Sequence, residues 1–232
     1  MIQSVMPTST KHPHLRTVLP DFAVSDPITF LLSPARCDGP RARVLMNPAA
    51  SFDLAQTLRS HDGAPLGDVF SFLSGLYFRG KLEYARALTP TNGHRSRIKV
   101  ITSNRGLRSL EERVTRDDLV AFSAVDIADG DAQYLAPLKR DAERLARTLP
   151  AAAHVVLLGS IATGKYVDTL LALFSERLLF PAAFVGRGDM SRGGLLLRHA
   201  RAGTPLSYLP VMGAVRRGKR PPRLEMLPRG HT

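Results

Sequence analysis

Strands that alternate with helices predict an α/β fold: a single three-layer domain around a mostly parallel central sheet. Three observations carry that reading. HVVLLG (154–159) is an apolar run without alternation, as a strand buried on both faces requires. DAQYLAPLKRDAERLARTL (131–149) places Tyr134, Leu135, Leu138, Ala142, Leu145, Ala146 and Leu149 on one helical face. The chain's 232 residues, 44% of them hydrophobic, are enough to bury one substantial core.

Taken in order, the first 26 residues are rich in Pro, Ser, Thr and His and predict a flexible arm. They contain no apolar core of the kind a secretory signal needs. PITFLLSP (27–34) is a short apolar run ended by Pro34, read as a buried strand, and CDGPR (37–41) is a loop. SFDLAQTLRS (51–60) has helical spacing. Asp68 is the expected cap of the next helix, which breaks at Gly80 and resumes through LEYARAL. RIKVITS (97–103) is a strand, and DDLVAFSAVDI (117–127) fits helix or strand. Pro150 ends the long helix at 131–149. KYVDTLLALFSERL (165–178) is a helix. AAFVGRG and GLLLRHA are expected strands flanking a glycine-rich loop, and LSYLPVM is the last strand. The expected organisation is an arm (1–26), an α/β domain (27–212) and a basic, Pro-rich tail (213–232).

Charge is the first clue to function. Lys and Arg number 32 against 20 Asp and Glu, a net of +12. From residue 185 onward there are ten Lys and Arg against Asp189 and Glu225, which accounts for +8 of that excess. A basic cluster of this kind suits a polyanionic partner. The expected partners are therefore nucleic acid or a phosphorylated small molecule, and the tail cations Arg216, Arg217, Lys219 and Arg220 would add phosphate contacts. A solvated, Arg-rich surface is the competing reading. The single cysteine, Cys37, allows no disulfide within the chain, and the seven His show no ligand spacing. No metal and no cofactor are expected. With no run of about eighteen apolar residues, no membrane span is expected and a cytoplasmic location fits.

Two segments carry candidate chemistry. GSIATGK (159–165) has the spacing of a P-loop, but Tyr166 stands where Ser or Thr would bind Mg²⁺, and the segment comes late in the chain. What survives is a turn for an anion: Gly159, Ser160, Thr163, Gly164 and Lys165. A plain strand-to-helix turn capped by Thr163 is the alternative. In FVGRGDMSRGG (184–194), Arg187 and Arg192 suit bidentate phosphate binding, with Gly188 and Ser191 beside them. Asp189 is a candidate general base, with Lys165 as the catalytic cation. A connecting hairpin is the bland reading of this segment. Loops at the carboxyl ends of parallel strands gather at one edge, which would bring Asn104, Arg105, Ser160, Lys165, Arg187 and Asp189 together. Arg79 and Lys81, beside Tyr77 and Phe78, are further candidates for binding a nucleic acid.

Leu76-Tyr77 with KLEYA, followed by Ile101-Thr102-Ser103 and Gly106-Leu107, resembles a group of small bacterial and phage α/β proteins. These are distantly similar to the peroxide-stress YaaA family of DNA-binding proteins. The likeness covers about a third of the chain, and a faint SPARC (33–37) stands for an early motif of the group. It implies an α/β fold acting on or near nucleic acid. The functional expectation is a nucleic-acid- or nucleotide-binding protein, with hydrolysis or transfer at a nucleotide or nucleobase as the expected reaction if it is catalytic. The rival is a non-catalytic protein that docks an acidic partner through its basic C-terminal region, and an atypical P-loop NTPase is a third reading.

Overall fold

The computed structural model describes residues 27–89, 97–127 and 131–224. The expected arm (1–26) and the last eight residues of the expected tail lie outside them.

Six strands form the main sheet: β1 (Ile28–Leu32), β3 (Ile98–Ile101), β4 (Leu107–Ser109), β6 (His154–Leu158), β7 (Leu178–Pro181) and β8 (Tyr208–Pro210). Their order is β4-β3-β1-β6-β7-β8. The four central strands are parallel, and the edges β4 and β8 are antiparallel. Short strands β2 (Ala64–Pro65) and β5 (Arg113–Val114) pair separately. The predicted α/β class and mostly parallel sheet hold.

The sheet is covered on both faces, so its central strands are largely apolar; Thr29 is buried in β1, and Lys99 of β3 and His154 of β6 are half-buried. Phe30 and Leu32 of β1, with Val156 and Leu158 of β6, face one core. Helices α1 (Pro40–Met46), α2 (Asp53–Arg59), α3 (Leu66–Ser74), α4 (Leu76–Leu88), α5 (Arg116–Ser123) and α8 (Asp189–Ala202) contribute to that core. Leu31, Val155 and Leu157 face the other, where α6 (Ala132–Thr148) and α7 (Val167–Phe174) pack. This is the period-two alternation of a pleated strand expressed as two buried faces.

Several sequence expectations are corrected. The break expected at Gly80 falls at Gly75, whose φ of 59° is open to glycine and separates α3 from α4. Gly80 lies inside an unbroken helix because it faces α8 at close range: a Cβ there would come 2.7 Å from the Gly193 carbonyl oxygen. Asp68 is in the first turn of α3 rather than its cap, and Pro65 holds the cap position. The ambiguous 117–127 segment is helix α5 over most of its length, started by a Thr115–Asp118 capping box.

The largest correction concerns 178–202. The strand is LLFP, ahead of AAFVGRG, which instead begins as a short 3-10 turn at Ala182–Phe184. GLLLRHA is not a strand: it belongs to α8, and the glycine-rich "loop" is that helix's first turns. Glycines 193 and 194 imitate a loop in sequence, but Gly193 is there because the backbone of Leu76 and Tyr77 leaves no room for a side chain. The described part of the basic segment, 213–224, lies against the domain. Arg216 pairs with Asp168, Arg217 donates to the Ala162 carbonyl, and Arg187 donates to the Pro222 carbonyl. Leu224 packs on the core.

Candidate active site

The chain leaves β1 toward β3 on one side, then crosses to β6 on the other. That reversal opens a crevice at the carboxyl end of β1 and β6, the place where ligands bind in open α/β sheets. Ser33 and Gly159 are the first residues past the two strands, and the Ser33 amide donates to the Leu158 carbonyl at 3.2 Å.

At this point the structure buries an amine. Lys81 of α4 is completely buried, and its Nζ donates to the Ser33 carbonyl at 2.7 Å and to Ser33 Oγ at 2.9 Å. The rings of Tyr77 and Phe78 lie 4.5 and 4.8 Å from the same nitrogen. Burial disfavours the ammonium form and brings the Lys81 pKa down from 10.5 to about 7; Asp189 opposes that shift and Arg192 assists it. An amine that changes protonation near neutrality is the kind of group acid–base chemistry uses.

Around it stand five side chains from four elements. Tyr77 is buried, and its hydroxyl lies beside the Arg192 guanidinium, which acts on it by charge and as a hydrogen-bond neighbour. Tyr166 is buried and donates to the Ser160 carbonyl at 2.9 Å, and burial pushes its pKa up to about 12. Arg192, also buried, is anchored through Nε and Nη2 on the Phe184 carbonyl, and its Nη1 reaches Asp189 at 3.3 Å. Asp189 itself is exposed as the first residue of α8. Ser33 completes the group.

A cleft of about 570 Å³ begins one residue past Ser33; it is lined by the segments 34–38 and 122–127 with Ser103 and Lys165, and by none of the cluster's own side chains. Cys37 lies in its wall. Burial, reinforced by Asp38, pushes its pKa up to about 12, so the thiol stays protonated and unreactive at neutral pH.

The sequence-predicted residues are only partly gathered here. Lys81, Asp189 and Arg192 are in the cluster, and Lys165 lines the neighbouring cleft. The turn from Gly159 to Lys165 does not hold the open cradle of a P-loop. A Cβ on Gly159 would meet the Tyr166 hydroxyl at 2.7 Å and the Ser33 Cβ at 2.9 Å, so the turn is filled by its own tyrosine. Ser160 Oγ accepts from the Ala162 amide, Gly164 abuts Asp168, and Thr163 is exposed and does not cap α7, whose cap position is Tyr166. Arg187 is committed to the Ala183 and Pro222 carbonyls and to Ser191, which with Gly188 lines a separate hollow of about 360 Å³ against Arg220 and Arg223. Asn104 donates to the Ala121 carbonyl and Arg105 pairs with Asp118; both border another depression beside α6. Arg79 is exposed on the outer side of α4, Lys219 and Arg220 are exposed, and Arg216 and Arg217 hold the C-terminal segment down. The loops after 101, 158 and 181 share an edge but not a single pocket.

Sequence reasoning missed Ser33, Tyr77 and Tyr166 as site residues. For Ser33 a signal existed: a hydroxyl directly after a buried apolar strand sits at the edge where α/β sheets bind ligands. For Tyr166 the clue was its misfit in the P-loop pattern.

A hollow of about 490 Å³ at the opposite, amino-terminal end of the strands is lined in part by Pro27, Arg97, Lys99 and Pro150 and touches none of the predicted site residues. Among the described residues no three His, Cys, Asp or Glu side chains gather as a metal site would need, and no helix is long and apolar enough to cross a membrane. Comparison of the chain with known protein families, with curated proteins and with solved structures finds no match.

Proposed function

We propose that the chain is a nucleotide- or nucleic-acid-binding protein that acts as a hydrolase or transferase at the carboxyl edge of its sheet. Lys81 handles the proton, and Arg192, oriented by Asp189, holds an anionic group of the substrate. The observation that carries this reading is the burial of Lys81 at the switch between β1 and β6. A buried amine costs several kcal/mol in its charged form, of order 1.4 kcal/mol per unit of pKa displacement, and a fold with no use for it would place an apolar side chain there. Asp189, the base expected from sequence, is exposed and paired with Arg192, so it serves better as a positioning group. The resemblance of Leu76-Tyr77 and the KLEYA helix to YaaA-like proteins, an expectation from the sequence, points the same way.

The anion preference rests on the cations around the site: Arg192 within it, Lys165 on the cleft, and exposed Lys219, Arg220 and Arg223 along the C-terminal segment. That segment's fixed course over the body also favours the rival, a protein that docks an acidic partner there. Binding of a fluorescent oligonucleotide and of a nucleotide, measured across salt concentrations, separates the two. For duplex DNA the log–log slope should be about −0.9 per phosphate contacted. Arg192→Gln should weaken nucleotide binding about tenfold or more, while replacing Lys219, Arg220 and Arg223 by Ala should flatten the oligonucleotide slope. Absence of binding to either at low salt overturns the proposal in favour of the docking protein.

A further inference from the structure

We propose that Ser33 is a nucleophile activated by Lys81, forming a covalent phosphoserine intermediate with a phosphate-ester substrate. This rests on the nucleotide reading above and names the reacting atom. Ser33 Oγ lies 2.9 Å from Lys81 Nζ, within reach for direct proton transfer. Both groups are buried, Lys81 completely and Ser33 to all but 6%, and Ser33 directly precedes the cleft-lining segment that starts at Pro34. Two aromatic rings flank Nζ, and both its hydrogen bonds go to Ser33, not to a carboxylate. Those are the surroundings in which a lysine serves as a base. The backbone bond to the Ser33 carbonyl fixes the amine so that the Oγ contact does not depend on a flexible stem.

The rest of the cluster fits a phosphoryl group. With Nε and Nη2 of Arg192 held by the Phe184 carbonyl and Nη1 by Asp189, one N–H on each of Nη1 and Nη2 is left as a planar pair of donors for phosphate oxygens. The Tyr77 hydroxyl, placed beside Arg192, adds an O–H donor to the same cluster.

The step balances without a co-reactant beyond water. Neutral Lys81 takes the Ser33 hydroxyl proton as Oγ bonds to phosphorus. The bond from phosphorus to the leaving oxygen breaks, and the Lys81 ammonium returns the proton to that oxygen. In the second half, water gives a proton to Lys81 and its oxygen to phosphorus, and the phosphoserine bond breaks with the proton returning to Oγ. A second alcohol in place of water makes the reaction a transfer.

The test is labelling of the full chain with a fluorophosphonate, in which Oγ displaces fluoride from phosphorus, followed by mapping of the adduct by mass spectrometry. The adduct should be on Ser33 and be lost in Ser33→Ala. The labelling rate of the unaltered protein should rise with pH to a plateau with a midpoint near 7, because only the neutral amine accepts the proton. Lys81→Met and Lys81→Arg should both label at least 100-fold more slowly, the guanidinium being no base, with folding checked by thermal melting. The pH profile stands even if those variants do not fold. No adduct, an adduct elsewhere, a flat pH profile, or a folded Lys81→Met labelled at the original rate overturns the proposal. Labelling of Ser33 without nucleotide binding would instead remove the nucleotide reading and leave the Ser33–Lys81 pair.

Discussion

Gly80 of α4 and Gly193 of α8 lie back to back. A Cβ on Gly80 would sit 2.7 Å from the Gly193 carbonyl oxygen, and one on Gly193 would sit 2.7 Å from the Leu76 carbonyl oxygen. The residues next to this crossing are Lys81 and Arg192, so the contact that lets two backbones touch also brings the site's two buried cations into one cluster.

Gly80→Ala should therefore destabilise the protein, against the usual gain of up to about 1 kcal/mol for Ala over Gly in a helix. The obstacle is backbone rather than a flexible side chain, and overpacking of this sort typically costs about 1–3 kcal/mol. Urea unfolding should show a net loss of about 1–2 kcal/mol, and a stabilised variant would contradict the close crossing.

Stability should depend on pH through Lys81. Between about 7 and its ordinary 10.5, the unfolded chain holds a proton on this amine that the folded chain has released. The unfolded state then binds more protons, so unfolding free energy rises with pH across that window. Below pH 7 the folded state carries a buried ammonium and the advantage is gone. Tyr77 and Tyr166 face the same cluster, and their raised pKa values act in the opposite direction only at more alkaline pH. The difference in unfolding free energy between the unaltered protein and Lys81→Met should grow by a few kcal/mol from pH 7 to pH 10. A constant difference would refute the shift.

Gly159→Ala should lose about 1–3 kcal/mol by crowding the Tyr166 hydroxyl and Ser33. Tyr166→Phe alone removes the donor to the Ser160 carbonyl and should cost about 1 kcal/mol. The double variant should be less destabilised than the two single losses added together, because deleting the hydroxyl removes one of the atoms the new methyl strikes.

Arg187→Ala should loosen the C-terminal segment. Its guanidinium spans the Ala183 and Pro222 carbonyls, and the segment's Lys219 carbonyl lies against Gly186 at a φ of 71°. Losing the tie to Pro222 is worth about 1–2 kcal/mol of local opening, as bonds from charged donors are. Limited trypsin digestion after Arg217 or Lys219 should then run about tenfold faster.

Much of the sheet was legible because strands covered on both faces are mostly apolar, as 30–32 and 155–158 are throughout and 98–101 is apart from Lys99. The 17-residue α6 was legible because its apolar residues repeat at helical spacing with caps at both ends. The helix at 189–202 was misread because Gly193 answers to a neighbouring helix, and local composition does not record its contact with Leu76. The site was half visible. Lys81, Asp189 and Arg192 were flagged as charges beside glycines. That Lys81 would be buried, and bonded to a serine 48 positions earlier, depends on a crossover that no local pattern encodes.

The order of the strands has a consequence for synthesis. β1 is among the first described elements made, yet its neighbour β6 and the helix carrying Arg192 belong to the last third of the chain. Until residues 154–158 leave the ribosome, one edge of β1 has no partner. Ser33 and Lys81 can meet in a partial chain, whereas Tyr166, Asp189 and Arg192 follow 85 or more residues after Lys81. The Ser33–Lys81 pair can therefore form before the side chains that surround it exist, and the cluster is complete only once residue 192 has been made.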